Sequence, residues 1–451
     1  MIPTCPTANK FNPIIRRFVL LLFILPVLKP AQSQELFDLN KCISIGLERN
    51  FSIRVARNRE EIAANNYSLG NAGHLPTLSM TNRYSGTVNQ ITQHDTDGEK
   101  STLSGVHNTT GTAGVNLNWT IFQGFNARTS YQKLNEQQQL GELGTQTEVE
   151  RLVSEIVSEY YFYVQQQRLY HNLAYAVSLS RERVRIDEER YLLGSSSKLE
   201  LLQSIVYLNA DSSRYARQKE VLRASQVRLN ELMAADDPGG NIQLEDSVIH
   251  IDEKLLYDRL LDLTLNYNTS LQIAKKNRVI SELDHKLIAS RAYPYLNFSS
   301  GYALAYNTYD AGSLSNQRTN GMNYGLTLGM DLFDGYNRRR EKTNAVLEIE
   351  NKKYQYQEIE QQIRADLITI YYAYENNLQL LRLEEQNLSV ARENLEIALE
   401  RYKLGNLSGL ELREVQKSLL DAEERLISVQ YQTKLAEISL QQISGRIMDY
   451  L

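Results

Sequence analysis

Glu411 and Glu414 lie three residues apart, a spacing that lets two carboxylates act together. On a helix, positions i and i+3 share a face. Like charges held that close raise one another's pKa and attract cations. The blander alternative is two solvated helix carboxylates. Other candidates for chemistry fail on spacing. The six histidines (74, 94, 107, 171, 250 and 285) are scattered, with no pair at metal-ligand spacing and no cysteine beside them. Asp95-Thr96-Asp97-Gly98-Glu99 carries only part of a calcium-loop ligand series and reads better as an exposed polar loop. The sequence has neither a phosphate-cradling glycine-rich loop nor a nucleophile elbow. The expectation is therefore no enzyme, no metal and no cofactor.

Glu411 belongs to a stretch that occurs twice, and Glu414 lies just past it. Glu400-Arg401-Tyr402-Lys403-Leu404-Gly405-Asn406-Leu407-Ser408-Gly409-Leu410-Glu411-Leu412 matches Glu189-Arg190-Tyr191-Leu192-Leu193-Gly194-Ser195-Ser196-Ser197-Lys198-Leu199-Glu200-Leu201, 211 residues upstream. Phe333-Asp334-Gly335-Tyr336-Asn337 repeats Phe122-Gln123-Gly124-Phe125-Asn126 at the same offset, and Asn268-Thr269-Ser270-Leu271 echoes Asn50-Phe51-Ser52-Ile53. Pro294 answers Pro76 at 218, so one loop of the first copy is longer by seven residues. Self-similarity at a fixed spacing means an internally duplicated fold.

The elements that carry these motifs follow from periodicity. Basic residues, the apolar run Phe18–Leu25, then Ala31 and Ser33 give residues 1–33 the order of a cleavable export signal, the alternative being a membrane anchor. The first repeat is expected over 34–235: a helix, a strand over 75–89, an exposed loop over 90–111, a strand over 112–123, and long helices over 124–193 and 199–235. A linker spans 236–252. The second repeat covers 253–447: a helix, strands over 294–307 and 322–333 around a loop at 308–321, and helices over 335–404 and 408–447. Past residue 33 only Pro76, Pro238 and Pro294 remain, which such long helices require. About 70 residues of helix extend roughly 100 Å, a length useful only in coiled-coil-like packing. Gly194 and Gly405 sit where the helices reverse and a positive φ is needed.

Each repeat holds two strands of about ten residues, apolar on one face (Leu78, Met80, Tyr84 and Val88 in the first) and polar on the other. That suits tilted membrane strands with lipid on one side and water on the other. Four strands cannot close a barrel, and open edges are not tolerated in lipid, so the chain is expected to oligomerise. The net charge of −5 offers no basic stripe for nucleic acid. Cys42 is the only cysteine outside the signal, so no intrachain disulfide is expected.

Two ordered copies of helix, proline, strand, loop, strand, F-x-G-[FY]-N-x-R, long helix, E-R-Y-x-x-G and returning helix resemble the TolC-like outer-membrane efflux protein family over about residues 35–447. The resemblance implies an α+β membrane protein. Its long antiparallel coiled-coil helices would form an α-helical barrel, and four strands per chain would contribute to a twelve-stranded β-barrel in a homotrimer. It implies the outer membrane of a Gram-negative-type cell, contact with outer-membrane lipid, a long periplasmic extension, a periplasmic adaptor (membrane fusion) protein and an inner-membrane pump. The chain would be the passive exit duct of a tripartite efflux or type I secretion system. The alternative is a secreted coiled-coil adhesion protein, which has no need of the strands. Glu411 and Glu414 occupy the family's acidic, cation-selective constriction, where the family has aspartates. Tyr402 matches the family's tip tyrosine and Glu200 the position of its acidic partner, implying a Tyr402–Glu200 latch. Leu407 replaces the family's tip arginine. Gly194, Ser195, Ser196, Gly405, Leu407 and Ser408 are the implied turn and adaptor-contact residues.

Overall fold

The computed structural model describes residues 36–450; the export-signal reading of 1–33 lies outside them. A short strand β1 (Leu36–Phe37) leads to helices α1 (Leu39–Arg49) and α2 (Phe51–Asn66). Strands β2 (Thr77–His94) and β3 (Lys100–Gln123) follow, then α3 (Asn126–Leu192) and α4 (Lys198–Leu232). β4 (Gln243–Leu244) pairs in parallel with β1, tying the linker to the chain start. The second repeat supplies α5 (Tyr257–Tyr267), α6 (Thr269–Ser290), β5 (Tyr295–Tyr309), β6 (Asn316–Gly329), α7 (Asn337–Lys403) and α8 (Gly409–Ile443). A 3-10 turn at Ile447–Tyr450 ends the described chain.

The duplication is visible in small devices. Asn50 breaks the first helix into α1 and α2, caps α2, and donates its amide to the Leu232 carbonyl at 2.9 Å. Asn268 does the same between α5 and α6, reaching the Ile443 carbonyl at 2.9 Å. Each asparagine thus ties the break in the entering helix to the end of the returning one. Gly124 and Gly335 have positive φ, as do Phe125 and Tyr336 after them. A Cβ on Gly124 would meet the Ser290 carbonyl oxygen at 2.2 Å, so only glycine fits the strand-to-helix corner.

The sheet is antiparallel throughout, in the order β2-β3-β5-β6. Its strands run further than expected. Most of the loop read at 90–111 is strand, leaving a turn at 95–99, and most of that read at 308–321 is strand, leaving 310–315. Thr92, Thr102, Thr109 and Thr110 are good strand formers, but here both faces are polar, so alternation gives no signal. The strand read as 322–333 ends at Gly329. On the apolar face Leu78, Met80, Tyr84, Met322, Leu326 and Leu328 are exposed.

Near the sheet the helices lie side by side as α2-α3-α6-α7, the order of the strands; away from it the order is α4-α3-α8-α7. The hairpin α7–α8 is a heptad coiled coil. Leu367, Tyr374, Leu381, Leu388, Leu395 and Tyr402 recur every seven residues and are buried, facing Leu412, Leu419, Leu426 and Leu440. The α3–α4 seam has the same period but carries several polar pairs where α7–α8 has leucines. Ser225 donates to Glu159 at 2.6 Å and Gln218 to Gln166 at 2.8 Å, while Ser180 donates to Asp211.

Candidate functional site: the hairpin tips

Both hairpins reverse through the same motif. Gly194 (φ 71°) and Gly405 (φ 78°) adopt the left-handed conformation. The Gly194 and Ser195 amides bond back to Tyr191 and Arg190, and those of Gly405 and Asn406 to Tyr402 and Arg401. Ser197 and Ser408 then cap the returning helices.

Glu411 belongs to this capping. Its carboxylate accepts from the Ser408 amide at 2.9 Å and the Ser408 hydroxyl at 2.7 Å, completing a capping box. Those bonds hold its pKa below the usual carboxylate value, so it is ionised at neutral pH. Glu414 is exposed on the same helix.

Tyr402 does not reach Glu200. Its hydroxyl donates to Asp187, in the last turns of α3, and both residues are buried. Glu200 lies past the turn, where Ser196 donates to its carboxylate. The corresponding acid is thus before the tip, on the helix that packs against α7–α8. Desolvation pushes the Tyr402 hydroxyl up to about 12, with the Asp187 bond adding to the shift, so it stays a donor. Arg190 covers the Tyr402 ring, its guanidinium 4.4 Å from the centroid, and donates to the Tyr402 carbonyl near the end of α7.

A second bridge lies deeper. Arg413 on α8 makes a two-pronged ion pair with Asp211 on α4, at 2.7 and 2.9 Å, with Asp211 1% exposed. Two guanidiniums approach the Tyr207 ring, Arg183 at 5.1 Å and Arg413 at 5.0 Å from its centroid. Arg183 is buried 3.7 Å from Asp187, with Nε and Nη1 making no hydrogen bond. Gly409 admits it, since a Cβ there would lie 3.1 Å from Arg183 Nη2. The two hairpins are therefore joined near their tips by buried charges as well as by Leu179 and Ile186 of α3, which pack against the α7–α8 core. Such buried pairs add little net stability while intact, because desolvation offsets their attraction, but are costly when one partner is lost.

Sequence reasoning missed Asp187, Asp211, Arg183, Arg190, Tyr207 and Arg413. A signal existed: Ser180 and Asp187, like Ser204 and Asp211, stand seven apart at seam positions where a coiled coil expects apolar residues. Among the candidate contact residues, Leu407 is half-buried against the α7–α8 seam, whereas Ser195 and Ser408 are exposed. Leu192, Leu193, Leu404 and Leu410, each at least 70% exposed, form an apolar rim beside the turns.

Comparison with known proteins now adds to this geometry. The family model described as outer membrane efflux protein matches residues 42–235 and 260–446. The fold is similar to VceC from Vibrio cholerae, an outer membrane protein, at TM-score 0.73 and 17% identity, covering 90% of this chain and 96% of that one. It is also similar to the Campylobacter jejuni CmeC outer membrane channel, at TM-score 0.75 and 17% identity, covering 90% and 85%. A CusC structure described in terms of transmembrane channel formation matches at TM-score 0.72 and 17% identity, covering 90% and 92%. No curated protein matches by sequence.

Proposed function

Because the chain belongs to the outer membrane efflux protein family, we propose that it is the exit duct of an efflux or type I secretion system, passing cargo from an inner-membrane pump and a periplasmic adaptor to the exterior. One observation carries this reading. The sheet and both levels of the helix layer have open edges in matching order, β2 with α2 and α4 on one side and β6 with α7 on the other. Copies of the chain joined edge to edge close all three at once, and three copies give twelve strands. The bare apolar face of the sheet then meets outer-membrane lipid.

The tips form the inner gate in this reading. Tyr402–Asp187 and Arg413–Asp211 keep each α7–α8 hairpin against α3–α4, and Glu411 and Glu414 ring the narrow end with acid. The leucine rim with Ser195, Ser196 and Ser408 is the surface offered to the adaptor. Single-channel current in a planar bilayer tests the duct. Small cation-selective conductance is expected, and Glu411→Ala/Glu414→Ala should enlarge it or abolish its selectivity. Unchanged selectivity in that variant would move the constriction elsewhere.

A further inference from the structure

The sheet's polar face carries one charged side chain. From the row of Thr77, Asn118, Ser299 and Gly325 outward to that of Thr87 and Asn108, the residues on this face are Ser, Thr, Asn, Gln, Gly, Ala and Tyr, apart from Arg83. Its row is Arg83, Thr112, Ala305 and Thr319, and the row beneath is Thr81, Gly114, Ala303 and Gly321. Small neighbours leave the side chain room to extend. Arg83 is exposed and, among the described residues, makes no hydrogen bond or ion pair. It stands on the edge strand β2, which in the proposed barrel meets β6 of the next copy. β6 contains no aspartate or glutamate, so the neighbouring strand supplies no counter-charge.

We propose that Arg83, repeated around the closed barrel, is an anion-recognition ring in the lumen, selecting carboxylate or phosphate groups on cargo near the exit. The inference rests on the duct reading above. Twelve strands about 4.8 Å apart and tilted about 40° give a backbone radius of about 12 Å. An arginine reaches about 6 Å inward, so the guanidiniums come within a Debye length of about 8–10 Å of anything crossing the axis. A guanidinium also pairs with carboxylate and phosphate oxygens in two-pronged fashion, which an amine cannot do. The row lies beside the outward Tyr84–Tyr306 row, at the outer end of the apolar band. Cargo would thus meet acid at the tip and arginine at the exit.

The test uses the intact protein in planar bilayers, with tripolyphosphate as the probe. The long helical body keeps to the side of addition, so the opposite chamber faces the barrel. Tripolyphosphate in that chamber should block the current, Arg83→Gln should weaken block at least tenfold, and Arg83→Lys should retain part of it. Arg318→Gln, on the opposite sheet face, should leave it intact. Equal block in Arg83→Gln and the unaltered protein overturns the ring while leaving the duct standing. Absence of current from every variant, and from the same variants with the tip released by Tyr402→Phe/Arg413→Ala, overturns the duct, and the ring with it.

Discussion

The Tyr402 hydroxyl, bonded to Asp187, is the smallest part of the proposed gate. Tyr402→Phe leaves Asp187 buried with one donor fewer, a loss of about 1–3 kcal/mol, and uptake of large antibiotics by cells carrying it should rise. Unchanged uptake would remove the latch from the gate. The pH dependence of the two tip groups runs in opposite senses. The Tyr402 pKa is raised, so its bond contributes fully below about pH 10 and is lost as pH climbs towards about 12. Glu411 is held low by its cap, so its contribution is present above the ordinary carboxylate range and lost as pH falls through the folded value. The hydrogen-exchange protection of residues 408–412, relative to the intrinsic rate at each pH, should fall in acid, and Glu411→Gln should flatten that response. Arg413→Ala strands the Asp211 carboxylate at a cost of about 3–5 kcal/mol. Because both bridges hold the same hairpin, combining it with Tyr402→Phe should give non-additive changes in open probability.

At the scale of elements, the two hairpins share a heptad period but not a seam. Leucines hold α7 to α8, and truncating the buried Leu388 to Ala should cost about 2–5 kcal/mol. Polar pairs hold α3 to α4, where replacing both Gln166 and Gln218 with Leu removes donor and acceptor together and should be nearly neutral or stabilising. Thermal unfolding of the two variants separates the cases. A Gln166/Gln218 variant as damaged as Leu388→Ala would show that the polar seam is essential to packing. The contact with the partner hairpin combines charge, through Asp187 and Asp211, with the apolar side chains of Leu179 and Ile186.

For the whole molecule, the open edges make a geometric prediction. On α7, Leu383, Val390, Ile397 and Leu404 recur every seven residues and are exposed, facing away from the intrachain seam. On α4, Leu199, Leu202 and Val206 are exposed too. The proposed edge-to-edge assembly would put these stripes together between copies. Ile397→Cys with Val206→Cys should therefore yield disulfide-linked oligomers under mild oxidation. Cys42 gives little background, since it is buried and its thiol is pushed up to about 12 by desolvation. A cross-link confined to single chains would contradict the assembly.

The duplication, the lengths of the four long helices, the glycine turns and the strand–turn–helix corner are all local or periodic properties, and the amino-acid sequence alone determined them. A period of seven or two is written in the order of residues, and a positive φ is written in a glycine. The strand ends escaped because strands polar on both faces carry no alternation. The tip partners escaped because they are matters of long-range register. Whether Tyr402 meets an acid before the turn or after it depends on how two hairpins, 211 residues apart in sequence, slide and rotate against each other. Packing sets that, and with it the Asp187 and Asp211 bridges. The same holds for Arg83, an ordinary surface arginine until strand pairing leaves it as the one charge on an otherwise neutral wall.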